Sequence, residues 1–131
     1  MKEISLEGTL LGFEEHRHFT IEDAFGEDSQ FRLLNCKDAG VSFVVVNPFL
    51  LFGDYEVEIK EPVAEALGLN NAPEEAIAVL SIVRCGEGEL LANLRSPLII
   101  NTTSNRFAQI ILQNEGYGLA VPMCESPEPE K

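Results

Sequence analysis

Val41-Ser-Phe-Val-Val-Val-Asn-Pro-Phe-Leu-Leu-Phe-Gly-Asp-Tyr55 is the stretch whose reading decides the fold. Val41 to Val46 is an apolar run of mostly β-branched and aromatic residues, short enough for a central strand buried on both faces and too short for a helix. Asn47-Pro48 stops it, because proline brings no N–H to a ladder and drives the residue before it towards an extended backbone. Phe49, Leu50, Leu51 and Phe52 come at once and place a large apolar load on a turn. Gly53-Asp54 then permits a reversal into the alternating Tyr55-Glu-Val-Glu-Ile59, which reads as a strand. Two readings of the apolar turn stay open: Phe49 and Phe52 plug the end of a barrel, or part of the load stays in water as a docking surface.

Outward from this stretch the chain is a series of short strands. Lys2 to Gly8 alternates, with Ile4 and Leu6 inward, and His18 to Ile21 is a further short strand. Thr9 to Glu15 carries apolar residues into a glycine, and Glu22 to Ser29 is an acidic solvated loop from which Phe25 can fold back. Gln30 to Asn35 forms a hairpin with the Val41 strand through Lys37-Asp-Ala-Gly40. Glu61-Pro-Val-Ala-Glu-Ala-Leu-Gly68 has proline in its first turn and glycine at its end, the marks of a short helix. Ala76 to Arg84 reads as a strand beside the Val41 strand, and Gly86-Glu-Gly-Glu89 as a mobile-looking loop. Leu90 to Arg95 and Leu98 to Asn101 are strands broken at Ser96-Pro97 by a bend or an edge position, and Arg106 to Leu112 is the last. The pattern predicts a mainly β fold: a small antiparallel β-barrel with one or two short helical insertions. Residues 1–124 make one domain, and the acidic tail 125–131 is expected to be disordered.

With 131 residues, 45% of them hydrophobic, the chain can bury a core of its own without a second domain. Its formal net charge of -13 sets it against phosphate backbones and anionic lipid and favours encounter with a basic partner. The plainer reading of that charge is solubility alone. No apolar stretch approaches the ~18 residues of a membrane span, and the expectation is a cytoplasmic protein, monomeric, that binds neither nucleic acid nor membrane. Cys36, Cys85 and Cys124 are too widely spaced for a zinc site or a disulfide framework, and His16 and His18 flank an arginine, so surface histidines are the better reading than metal ligands. There is no nucleophile elbow, phosphate loop or metal-spaced cluster, which points away from an enzyme and from any cofactor.

The segment Val46-Asn-Pro-Phe-Leu-Leu-Phe-Gly-Asp-Tyr55 resembles the Val-Asn-Pro-Phe-x-Phe-x-x-Asp-Tyr signature of the FliW family of bacterial flagellar assembly factors. Leu91-Ala-Asn-Leu-Arg-Ser-Pro-Leu-Ile-Ile-Asn101 resembles that family's Ala-Asn-Leu-x-x-Pro-x-x-Ile-Asn motif. Gly12-Phe-Glu14 matches a third element, without the proline and extra glycines that precede it in the family. The resemblance implies a compact β-barrel with short helical insertions and two partners: cytoplasmic flagellin, and CsrA, a basic RNA-binding repressor of flagellin translation. It further implies that free protein binds CsrA and relieves repression, that flagellin-bound protein leaves CsrA active, and that flagellin synthesis is thereby tied to export.

The residues expected to carry partner binding lie in these motifs. Phe49, Phe52 and Tyr55 are the aromatic anchors, since aromatic residues dominate interface hot spots. Asp54, Glu56 and Glu58 would hold the basic partner, although Glu56 and Glu58 are also the plain outward positions of an alternating strand. Asn47 and Asn101 either bond turn backbone or contact a partner, and Asn93 sits in the second motif. Arg95 either pairs internally with a carboxylate or faces a partner. The alternative function is a small-ligand-binding β-barrel, its apolar turn lining a pocket, without either protein partner.

Overall fold

The computed structural model describes residues 3–23, 25–26, 29–86, 88–113 and 116–123. Its strands are β1 (Glu3–Thr9), β2 (His18–Glu22), β3 (Phe31–Cys36), β4 (Val41–Val46), β5 (Ile77–Gly86), β6 (Glu89–Ala92), β7 (Leu98–Asn101), β8 (Arg106–Gln109) and β9 (Val121–Pro122), with one α-helix, α1 (Glu61–Leu67). Seven of the strands close a ring in the order β4-β3-β2-β1-β8-β7-β5, sealed by β5 pairing back onto β4. The ring is mainly antiparallel, as expected, with one exception. An odd number of strands cannot alternate direction all the way round, so one neighbouring pair must run parallel, and that pair is β1 with β8. Gly8 lies opposite Phe107 in this seam, and a Cβ at Gly8 would collide with the carbonyl and ring of Phe107. Glycine is therefore required where the barrel closes.

Side-chain alternation sorts the strand residues into two populations. Leu6, Leu34, Val45, Leu98, Ile100 and Phe107 point into the barrel, where Phe19 and Phe107 meet edge to face with ring centroids 5.2 Å apart. Val46, Val83 and Ala92 point outward, yet they are buried too, under a second layer built from residues 51–57, 110–112 and 117–123. Val45 and Val46 are each 0% exposed. The double-sided burial expected of the Val41 strand is thus real at its C-terminal end, although the second face is covered by loop segments rather than by another sheet.

β5 is long enough to serve three partners in succession. Its first half pairs with β7, its middle with β4 and its end with β6, which carries β9 on its far edge. β5 and β6 pair as far as Gly86 opposite Glu89, within the segment expected to be a loop, and Gly88 has φ +87; residue 87 lies outside the described residues. α1 forms where proline and glycine predicted it. Gly68 adopts the left-handed conformation and its N–H closes on the Ala64 and Glu65 carbonyls. Ala64 and Leu67 pack on Ile99, against the outer barrel wall.

Three strand expectations change. Tyr55 to Ile59 belongs to no ladder, although its alternation is genuine: Val57 and Ile59 pack inward while Glu56 and Glu58 face water. The segment lies flat on the barrel's outside, and alternation reports one-sided burial whether or not a neighbouring strand supplies hydrogen bonds. β6 ends at Ala92, where Asn93 begins a side-chain-capped turn, and β8 ends at Gln109. Beyond it, Ile110 and Leu112 donate to the Pro97 and Arg95 carbonyls and track the bend at Ser96-Pro97. β7 after that bend is an interior strand, paired with both β5 and β8. The tail 125–131 lies outside the described residues.

Candidate functional site

Asn47 ends β4 and caps the turn beyond it. Its Oδ1 accepts from the Phe49 N–H at 2.9 Å, which starts a single 3-10 turn over Pro48–Leu50. The Leu51 and Phe52 N–H groups then close on the Pro48 carbonyl, and the Tyr55 N–H on the Phe52 carbonyl at 3.0 Å. This compact double turn divides the apolar load. Pro48 and Tyr55 are buried, Leu51 and Phe52 are half-buried in the outer layer, and Phe49 and Leu50 stand in water at 42% and 65% exposure. The turn therefore does not plug the barrel; it lies against the outer wall, and part of its load is left exposed.

Tyr55 is the pivot of this region. It is 4% exposed, and its hydroxyl donates to the Leu94 carbonyl at 2.6 Å, joining the two motifs read from the sequence. Its ring meets Phe49 at 5.5 Å and Tyr117 at 4.8 Å. Burial, with the neighbouring Tyr117 adding to it, pushes the Tyr55 phenol above its ordinary range, so it stays a neutral donor. Tyr117 in turn accepts from the Glu56 N–H at 2.8 Å, pinning the chain as it leaves the turn. Sequence reasoning missed Tyr117. The only local signal was an aromatic residue between two glycines, Gly116-Tyr-Gly118, a placement that lets a ring reach back into a neighbouring layer.

The second motif is organised by Asn93, whose Oδ1 accepts from the Arg95 and Ser96 N–H groups at 3.2 and 3.0 Å. The Leu94 and Arg95 N–H groups bond the Gly118 carbonyl at 3.0 and 3.2 Å, so the segment carrying Tyr117 is held from both motifs. Arg95 is half-buried, and among the described residues no carboxylate lies within ion-pairing distance of it. Between the motifs opens a cleft of about 350 Å³, lined by Leu51 to Tyr55 with Leu94 and Tyr117; Asp54 and Gly53 form its exposed lip.

Asn47, Phe49, Phe52, Asp54, Tyr55, Glu56, Asn93 and Arg95 thus belong to one neighbourhood. Glu58 lies further along the chain, exposed and 3.8 Å from Lys60. Asn101 acts elsewhere in the fold. Its Nδ2 donates to the Leu67 carbonyl at 2.8 Å and its Oδ1 accepts from the Thr103 N–H at 2.9 Å. Buried beneath α1, it ties the end of the helix to the turn between β7 and β8.

The chain has counterparts in sequence and in fold. The family described as FliW protein matches residues 1–123. The chain belongs to the FliW family. A FliW flagellar assembly factor from Caldanaerobacter subterraneus subsp. tengcongensis is 35% identical over 123 residues, covering 93% of this chain and 82% of the relative. One from Clostridioides difficile is 30% identical over 125 residues, covering 94% and 95%. A crystal structure of the flagellar assembly factor FliW superposes with a TM-score of 0.81 at 23% identity, covering 96% of this chain and 88% of the other, a likeness of fold. FliW is a family of assembly factors rather than of enzymes, and no helix among the described residues is long and apolar enough to cross a membrane.

Proposed function

We propose that the protein is a flagellar assembly factor of the cytoplasm that works by partner exchange: it binds flagellin and, when free, binds and antagonises CsrA. The observation that carries this reading is the exposed Phe49–Leu50 pair on a turn fixed by the Asn47 cap and the Tyr55–Leu94 bond. Exposed apolar side chains on a preorganised backbone lose little conformational freedom on association, which is what a protein-binding hot spot needs. Asp54, Glu56 and Glu58 lie exposed along the same segment, and the formal net charge of -13 adds a long-range attraction for a basic partner. In this reading Phe49 and Leu50 are the anchors, the acidic residues set encounter rate and salt dependence, and Tyr55, Asn47 and Asn93 hold the surface in shape.

Calorimetric titration with flagellin and with CsrA from the same cell, at two salt concentrations and with the other partner present or absent, tests it. The expected result is binding of both with mutual antagonism, and a steeper salt dependence for CsrA. Failure of both to bind would overturn the reading.

A further inference from the structure

The barrel is stoppered at one end and open at the other. At the closed end Leu10 is buried and Phe13 packs edge-on against Phe43, with ring centroids 5.5 Å apart. At the other end is a cavity of about 400 Å³ whose wall is formed by Ile4, Leu6, Ile21, Ala78, Leu80 and Ile100. These are inward positions, and Ile4, expected to point inward, is 40% exposed because it stands at this mouth. An all-aliphatic wall without a ring suits a flexible hydrocarbon chain, and the volume is that of a small-molecule site.

The rim supplies a head-group contact. Arg32 lies opposite Val45, a residue of the barrel interior, so its stem enters the mouth rather than the solvent outside. Its Nη1 donates to the Ser29 and Phe31 carbonyls at 2.6 and 3.2 Å, which anchors the guanidinium plane. Its other nitrogens have no partner among the described residues, and no carboxylate there lies within ion-pairing distance. Asn105 also borders the cavity, while the Thr102 hydroxyl is committed to the Ala76 carbonyl at 2.8 Å. Glu22 and Asp23 complete the rim; the Glu22 carboxylate accepts from Asn35 at 3.3 Å on the outer wall.

We propose that this mouth binds a medium-chain aliphatic monocarboxylate, its chain among the aliphatic side chains and its carboxylate on Arg32. A planar guanidinium with an anchored fork matches a carboxylate in two parallel hydrogen bonds. Glu22 and Asp23 leave the rim net negative. A carboxylate is therefore selected by the directed donors of Arg32, for which an ammonium has no acceptor, and not by the field of the mouth, which opposes a dianion such as a phosphate ester more than a monoanion. No residue of the Asn47 to Tyr55 segment lines this cavity, so the proposal stands apart from the partner-binding reading.

Methyl NMR titration with decanoate, decyl phosphate and decylamine, each below its micelle concentration, decides it. Decanoate should give saturable shifts at the methyls of Ile4, Ile21, Leu80 and Ile100, and bind more tightly than the other two. Arg32→Leu should weaken decanoate by about tenfold or more, the size of a charge-assisted hydrogen bond. Ala78→Phe, which fills the cavity, should abolish binding, and Phe49→Ala should leave it unchanged. Cooperative melting of each variant establishes that it is folded, and the head-group series on the unaltered protein stands even if one variant is not. Equal binding of decylamine or decyl phosphate, shifts outside the mouth, or no saturation by decanoate would overturn the proposal.

Discussion

Tyr55 and Phe49 lie a few residues apart on one turn, with their rings 5.5 Å from each other, yet they do opposite things. Tyr55 is sealed between the barrel's outer wall and the C-terminal segment, with its hydroxyl bonded to Leu94, whereas Phe49 keeps 42% of its surface in water. The same residue class in the same motif yields a structural clasp at one position and an available contact surface at the next. Aromatic identity does not separate the two; what does is which way the backbone turn, set by Asn47 and Pro48, directs each ring.

The sharpest way to break this contrast is truncation. Tyr55→Ala should cost about 3–5 kcal/mol in urea denaturation, as large buried aromatics do, and Phe49→Ala less than about 1 kcal/mol because its site is open to water. Equal losses would mean that the division between clasp and surface is wrong. Tyr55→Phe keeps the ring and removes the hydroxyl, leaving the Leu94 carbonyl without its donor, for about 1–2 kcal/mol.

The same hydroxyl carries a pH signature. Because the folded phenol titrates above its unfolded value, the native state holds its proton longer than the unfolded chain. Its stabilisation is complete below the ordinary tyrosine range near pH 10 and is lost as pH rises from there through the folded value. Thermal melts between pH 8 and 11 should therefore show the stability gap between the unaltered protein and Tyr55→Phe narrowing above about pH 10. A gap that widens would mean the clasp is not a buried neutral phenol.

Asn47→Ala removes the cap of the short turn and should cost about 1 kcal/mol. The smallest stability effect belongs to Glu56→Lys with Glu58→Lys. Both side chains face water, so the melting curve should move by less than about 0.5 kcal/mol, while affinity for CsrA falls and its salt dependence flattens. Unchanged salt dependence would remove these carboxylates from the partner surface.

Much of this was legible in the sequence because local chemistry decided it. The Val41 strand, the Lys37 to Gly40 turn, and the helix between Pro62 and Gly68 each arise from residues that fit one backbone conformation, and all three are present. The backbone-bonding reading of Asn47 and Asn101 is likewise what their side chains do. The features that escaped depended on distant parts of the chain. The parallel seam at Gly8 results from closing a ring with an odd number of strands, which no local window contains. Tyr55 to Ile59 carries a strand's alternation because it lies on a surface, and its ladder is missing because that surface is side chains rather than a sheet edge. Tyr117 could not be assigned to the site until the fold brought residues 117–123 back over β5 and β6.

The measurement closest to the central claim is titration of flagellin and CsrA into the Phe49→Ala, Leu50→Ser double variant, run beside its melting curve. The expected result is a melting curve within a few degrees of the unaltered protein and an affinity for at least one partner weaker by about tenfold or more, as for the loss of hot-spot side chains. Full affinity for both partners in a variant that melts normally would contradict the claim, and the exposed half of the turn would then not be the docking surface.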